Sequence, residues 1–194
     1  GMNNEFINSH DIIKLFELLN SKSIEYLLLR NLDNELPNRL LKTKDIDILV
    51  NPSHKDLICT TLEKKGWINI MHPWDFGNNF KFLYSMDRFL MFKKNEIHLD
   101  ICFQLSCRSL NAGEWFPLDE EIQISSFTNK IKVNNIWRFQ LSFEDEIIHL
   151  LTRSIFDKKQ FTQAYIVRIK HLFEFANLDV LENKLKKVFF KFSP

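Results

Sequence analysis

Lys44-Asp45-Ile46-Asp47-Ile48-Leu49-Val50 reads as a buried strand, yet it carries two carboxylates two residues apart. Side chains alternate along a strand, so Asp45 and Asp47 project from one face while Ile46 and Ile48 point into the other. Like charges held that close shift each other's pKa, and such a pair persists when a cation sits between its members or when they share a proton. Downstream, Glu96-Ile97-His98-Leu99-Asp100-Ile101-Cys102-Phe103 is a second apolar strand pattern with one acid, Asp100, at its centre. Two strands and three acids outline an oxygen cage suited to Mg²⁺. The bland alternative for Asp45 and Asp47 is a strand edge with two solvated acids, since short motifs recur by chance.

Working outward, Ser9 is placed to cap a helix carrying Ile12, Ile13, Leu15, Phe16, Leu18 and Leu19. A short buried strand follows at Ile24–Leu29, closed by Arg30-Asn31. The segment Leu32–Thr43 reads as a connection with one helical turn after Pro37. After the acid-bearing strand, Asn51-Pro52-Ser53 opens a helix to about Lys65, with Gly66 as its stop and Trp67–Ile70 extended. Phe80–Ser85, Phe89–Phe92 and Ile97–Phe103 form a meander, with Met86-Asp87-Arg88 and Lys93-Lys94-Asn95 as turns. Between Arg108 and Asn135 the pieces Ile122–Ile124 and Ile131–Val133 suggest a loop with a small hairpin. From Ser142, paired with Asp145 in a capping arrangement, the period changes to helical, and helices follow at about Thr162–Phe175 and Leu178–Phe190. The expected fold is α+β: a mixed sheet with flanking helices over residues 8–108, a connection over 109–141 and a helical subdomain over 142–194.

Bulk properties narrow the function. The 194 residues suffice for one domain with a helical extension. Twenty-six Lys and Arg against 25 Asp and Glu leave a net charge of +1, which argues against generic nucleic-acid binding, so any anionic ligand must be met locally. Cys59, Cys102 and Cys107 are too few and too scattered for a disulfide framework or a zinc site. The polar start and the lack of any apolar run near the roughly 18 residues of a membrane span lead us to expect a soluble cytoplasmic protein with no membrane partner.

Tyr26-Leu27-Leu28-Leu29-Arg30-Asn31, the Asp45-Ile46-Asp47 strand and His98-Leu99-Asp100 together resemble the polymerase-beta-like nucleotidyltransferase superfamily. The resemblance covers roughly residues 10–105, and more loosely the helices after Ser142; small bacterial members reading Leu-Arg-Gly and then Asp-Ile-Asp-Ile-Leu-Val are similar to it. It implies a mixed-sheet nucleotidyltransferase fold, two Mg²⁺ ions held by Asp45, Asp47 and Asp100, and activation of the acceptor hydroxyl by Asp100. A nucleoside monophosphate would pass from a nucleoside triphosphate to a hydroxyl of a small molecule, sugar or protein. The sequence departs at the Gly-Ser turn of that superfamily, which is Arg30-Asn31 here. Asn31 is expected to supply the left-handed turn and Arg30 to meet phosphate as a planar fork. Lys44 and Lys81 are further candidates for phosphate contact, against a reading as solvated surface lysines. Trp74 and Phe76 are candidates for stacking on a base. His98 shares the face of Asp100 as a substrate contact or a hydrogen-bonded sheet residue, while His149 and Cys102 read as packed residues. Two alternatives stay open: a non-catalytic relative with a binding or regulatory role, and a phosphotransferase of the same fold moving a phospho-alcohol group.

Overall fold

The structure, a computed structural model, describes residues 5–70, 89–108, 115–117, 127–133, 135–157 and 160–192. Helix α1 (Ser9–Ser21) is capped by Asn8, whose side chain accepts from the His10 amide, one residue earlier than the expected Ser9 cap. Asn8 wins because its carbonyl oxygen reaches the orphan amides of the first turn. Strand β1 (Tyr26–Leu29) pairs antiparallel with β2 (Ile46–Val50), so the expected strand at 24–29 starts two residues later and Asp45 lies just ahead of β2. A single 3₁₀ turn (Pro52–His54) leads into α2 (Lys55–Lys64), which stops before Gly66 at φ 87, a conformation that glycine adopts freely.

Strand β3 (Ile68–Asn69) pairs with β4 (Phe89–Lys94), and β4 forms a hairpin with β5 (Ile97–Cys102). Lys93 and Lys94 therefore belong to the strand rather than to the expected turn. Asn95 takes φ 53 in the tight connection, a geometry that Asn tolerates better than Lys. The expected strand at 80–85, Lys81, Trp74, Phe76 and the piece at 122–124 lie outside the described residues. Strands β6 (Ser106–Arg108) and β7 (Trp115–Pro117) form a separate two-stranded ribbon.

Strand β8 (Lys130–Val133) contains the expected extended piece Ile131–Val133, but its hairpin partner is β9 (Ile136–Phe139), beyond the segment expected to hold the hairpin, and the pair joins the main sheet. Strand β9 lies parallel to β1, with Leu27 opposite Phe139. The resulting seven-stranded mixed sheet has the order β3-β4-β5-β2-β1-β9-β8, and β2 runs parallel to β5. A strand so short was illegible in sequence, because Ile136-Trp137-Arg138-Phe139 is too brief to show a period of its own.

One compact unit comprises residues 1–103 and 130–139, and a second comprises 104–129 and 140–194. In the first, Ile12, Phe16 and Leu19 of α1 and Ile58 and Leu62 of α2 pack on Tyr26, Leu28, Ile46, Ile48, Leu99 and Ile101. Phe16 stacks on Tyr26 with ring centroids 5.6 Å apart. Burial of this apolar face fixes the register, since a slip of one residue would drive Asp47 and Asp100 into the core. The second unit contains α3 (Phe143–Thr152), continued by a π-helical segment (Arg153–Asp157), and then α4 (Gln163–Phe173) and α5 (Leu178–Phe192). Ser142 caps α3 by accepting from the Asp145 amide at 3.1 Å, as its sequence spacing predicts. Ion pairs between these helices include Glu146 with Arg168 at 2.6 Å and the fully buried Asp145 with Lys184 at 2.7 Å. His149 is buried on α3, in keeping with a packed residue.

Candidate active site

The parallel pairing of β2 with β5 makes Asp47 the direct partner of Asp100, and the antiparallel pairing of β1 with β2 makes Leu29 the partner of Asp47. Met91 of β4 is in turn opposite Asp100. Cross-strand partners share a sheet face, so one row across four strands reads Leu29, Asp47, Asp100, Met91. The core-facing residues Ile97, Leu99 and Ile101 alternate with the half-buried His98, Asp100 and Cys102, which places those three on the acid-bearing face. Lys93, opposite His98, joins them there. Sequence reasoning missed Met91 and Lys93 because the register of the β4–β5 hairpin, which brings them to the acids, depends on where the turn falls.

Asp100 is the most perturbed carboxyl of this row, pushed up from 3.8 to about 7. Burial is the first cause, because a low-dielectric surrounding disfavours the charged form. The negative charges of Asp47 and Asp45 and a hydrogen bond with Asp47 push the same way, and Arg30 opposes them only in part. Asp100 Oδ1 is buried with no hydrogen-bond partner. A buried acceptor left without a donor is costly, so this oxygen calls for a proton or a cation.

Arg30 meets Asp47 as a fork: Nε donates to Oδ2 at 3.2 Å, and Nη2 lies 3.2 Å from Oδ1. The left-handed residue of this turn is Arg30, at φ 54, and not Asn31 as expected. Asn31 instead braces the loop by accepting from the Leu36 amide at 3.3 Å, while its buried Nδ2 has no hydrogen-bond partner. Asp45 is exposed one residue ahead of β2, near enough to act on Asp100 through its charge. Lys44 is exposed and pairs with Asp33 at 3.6 Å.

Among the described residues, no group of three or more His, Cys, Asp or Glu side chains forms a ready metal site. The acids nevertheless fit a hard divalent cation. Two carboxylates occupy paired positions on adjacent strands, and one buried oxygen lacks a donor. Asp47 and Asp100 are the residues that could hold the cation, with Asp45 beside them. Among the described residues, no helix is long and apolar enough to cross a membrane.

No protein-family model matches the chain, and no curated protein matches it in sequence. Solved structures do. The chain is similar to the lincosamide antibiotic adenylyltransferase LnuA with lincomycin bound, at a TM-score of 0.51 and 16% identity over 86% of this chain and 96% of that one. It is also similar to ANT(2″)-Ia in complex with adenylyl-2″-tobramycin, at a TM-score of 0.59 and 10% identity over 95% of this chain and 98% of that one. A solution structure of the antibiotic-resistance factor ANT(2″)-Ia matches with a TM-score of 0.54, at 10% identity over 92% and 90% of the two chains. At such identities the likeness is one of fold, and the α+β fold of this chain is that of these nucleotidyltransferases.

Proposed function

We propose that the chain is a nucleotidyltransferase that moves a nucleoside monophosphate from a nucleoside triphosphate to a hydroxyl of a small molecule, with Mg²⁺ as its cofactor. The observation that carries this reading is the side-by-side placement of Asp47 and Asp100, with one buried oxygen of Asp100 lacking a partner. One fold neighbour named an adenylyltransferase and another in complex with adenylyl-2″-tobramycin support AMP as the transferred group and a hydroxyl-bearing compound as the acceptor.

In this reading Asp47 and Asp100, joined by Asp45, are the residues that would hold the divalent cations, two in the full site. Cations held there would supply positive charge to neutralise the phosphates and the leaving pyrophosphate. Asp100 would orient the acceptor hydroxyl and take its proton. The freed hydroxyl oxygen attacks the α-phosphorus, the bond from that phosphorus to the bridging oxygen breaks, and pyrophosphate leaves with the electron pair. Arg30 offers its planar fork to the phosphates, and Asn31 Nδ2 is a buried donor beside it. Lys44 and Lys81 serve as auxiliary phosphate contacts.

The test is calorimetry against each nucleoside triphosphate with and without Mg²⁺, followed by pyrophosphate release over a panel of polyhydroxyl acceptors including aminoglycosides and lincosamides. Metal-dependent binding of one triphosphate and acceptor-dependent pyrophosphate release are expected. Absence of binding to every nucleotide would instead favour the non-catalytic reading. That second reading has its own observation, since Arg30 stands where a small residue would let phosphate approach the backbone and already engages Asp47.

A further inference from the structure

Leu29 is the partner of Asp47 and shares its face. One more residue of regular strand would therefore send the Arg30 side chain to the opposite face, toward Leu28, Ile46 and Ile48. Arg30 instead adopts φ 54, a conformation disfavoured for any residue with a Cβ. The left-handed turn returns its guanidinium to the acid face, where Nε and Nη2 engage both oxygens of Asp47. Both side chains are about four-fifths buried, at 19% and 21% exposure, so water screens this fork weakly. An unfavourable backbone conformation at the rim of a candidate site, kept in place by a two-point ion pair, marks a device rather than a solvated surface contact.

We infer that Arg30 is an internal counter-cation of the acid pair, which withholds Asp47 from a divalent cation in the free protein and yields it when a triphosphate takes the guanidinium. The inference rests on the nucleotidyltransferase reading and adds to it a control of cation entry. A guanidinium and a divalent cation on one carboxylate repel each other, so occupancy by one weakens the other. A triphosphate is the ligand that can relieve this, because two of its phosphate oxygens offer the planar fork a two-point anionic partner in place of the carboxylate it leaves. Cation and nucleotide then bind with positive coupling, and by linkage each strengthens the other equally. Binding of the cation without nucleotide is weak for the same reason. Glycine at position 30 would both relax the backbone and leave Asp47 open.

The deciding experiment is Mn²⁺ binding to the full chain without nucleotide, read from the free-ion resonance at pH 8. Wild type is compared with Arg30→Gly and with Arg30→Asn, which also tolerates the left-handed turn, and melting curves establish that each folds. Both variants are expected to bind Mn²⁺ at least tenfold more tightly than wild type, with the gain abolished when Asp47→Asn is added. Nucleotide affinity at saturating Mg²⁺ is expected to fall at least fivefold in both. Unchanged or weaker Mn²⁺ binding in the variants, no Mn²⁺ binding in any form, or a gain that survives Asp47→Asn would each overturn the inference. Undiminished nucleotide affinity would overturn the transfer of Arg30 to phosphate. A wild type that binds no nucleotide would defeat the catalytic reading instead, while the nucleotide-free Mn²⁺ comparison would still decide whether Arg30 guards Asp47.

Discussion

Replacing Asp100 by Asn removes a carboxyl that burial and its acidic neighbours push toward the protonated form near neutrality, and the consequence can be followed with pH. The folded-state pKa of Asp100 is about 7 against an ordinary 3.8, so the native protein keeps a proton that the unfolded chain has released. A raised folded pKa contributes stability that is fully present below the unfolded value and is lost as pH rises through the folded one. Wild type should therefore lose stability between about pH 4 and pH 7, and this component should be gone at pH 8. Three pH units at about 1.36 kcal/mol each set a ceiling of roughly 4 kcal/mol. Asp100 is only half-buried, and solvent and the neighbouring Arg30 reduce this to about 1–2 kcal/mol. Asn mimics the neutral acid and has no proton to lose. Urea melts in EDTA from pH 4 to pH 9 should show Asp100→Asn close to wild type at pH 4 and about 1–2 kcal/mol more stable at pH 8. That is a rise in Tm of roughly 2–8 °C for a chain of this size. Mn²⁺ added at pH 8 should reverse the order by stabilising wild type alone. A difference that does not change with pH, or a variant less stable at pH 8 in EDTA, would refute the account of Asp100 as a carboxyl kept neutral by burial and by its acidic neighbours.

Other consequences are simpler to check. Asp47→Asn should abolish metal-dependent nucleotide binding or transfer while the chain stays folded, and it should flatten the pH dependence just described, because Asp47 exerts the strongest charge repulsion on Asp100; circular dichroism with calorimetry reads both. Lys184→Met removes the 2.7 Å partner of the fully buried Asp145 carboxylate and should cost about 2 kcal/mol or more in denaturant melts, with nucleotide affinity unaffected. Ser142→Ala removes the oxygen that accepts from the Asp145 amide and should cost about 1 kcal/mol, rescued by Ser142→Asp. Lys44→Ala should change stability by less than about 0.5 kcal/mol, since its pair with Asp33 is exposed, so a fall in nucleotide affinity in this variant would assign Lys44 to phosphate.

The sequence by itself determined the elements whose signals are local. The apolar period of α1, the Pro52 entry and Gly66 exit around α2, and the Ser142 cap of α3 each follow from residues within a few positions of one another. The alternation of β5 likewise placed Asp100 on one face with His98 and Cys102. Tertiary structure decided what depends on partners distant in the chain. The parallel register of β2 and β5 set Asp47 beside Asp100, and the hairpin turn at Asn95 brought Lys93 and Met91 to the same face. Strand β9 entered the sheet only because β1 offered it an open edge, which no pattern in four residues could announce. Arg30 shows the division most plainly. Its charge beside a Gly-less turn was visible in sequence, but the left-handed backbone that returns it to Asp47 exists only because Leu29 is already fixed opposite that acid, and that pairing joins residues 18 positions apart.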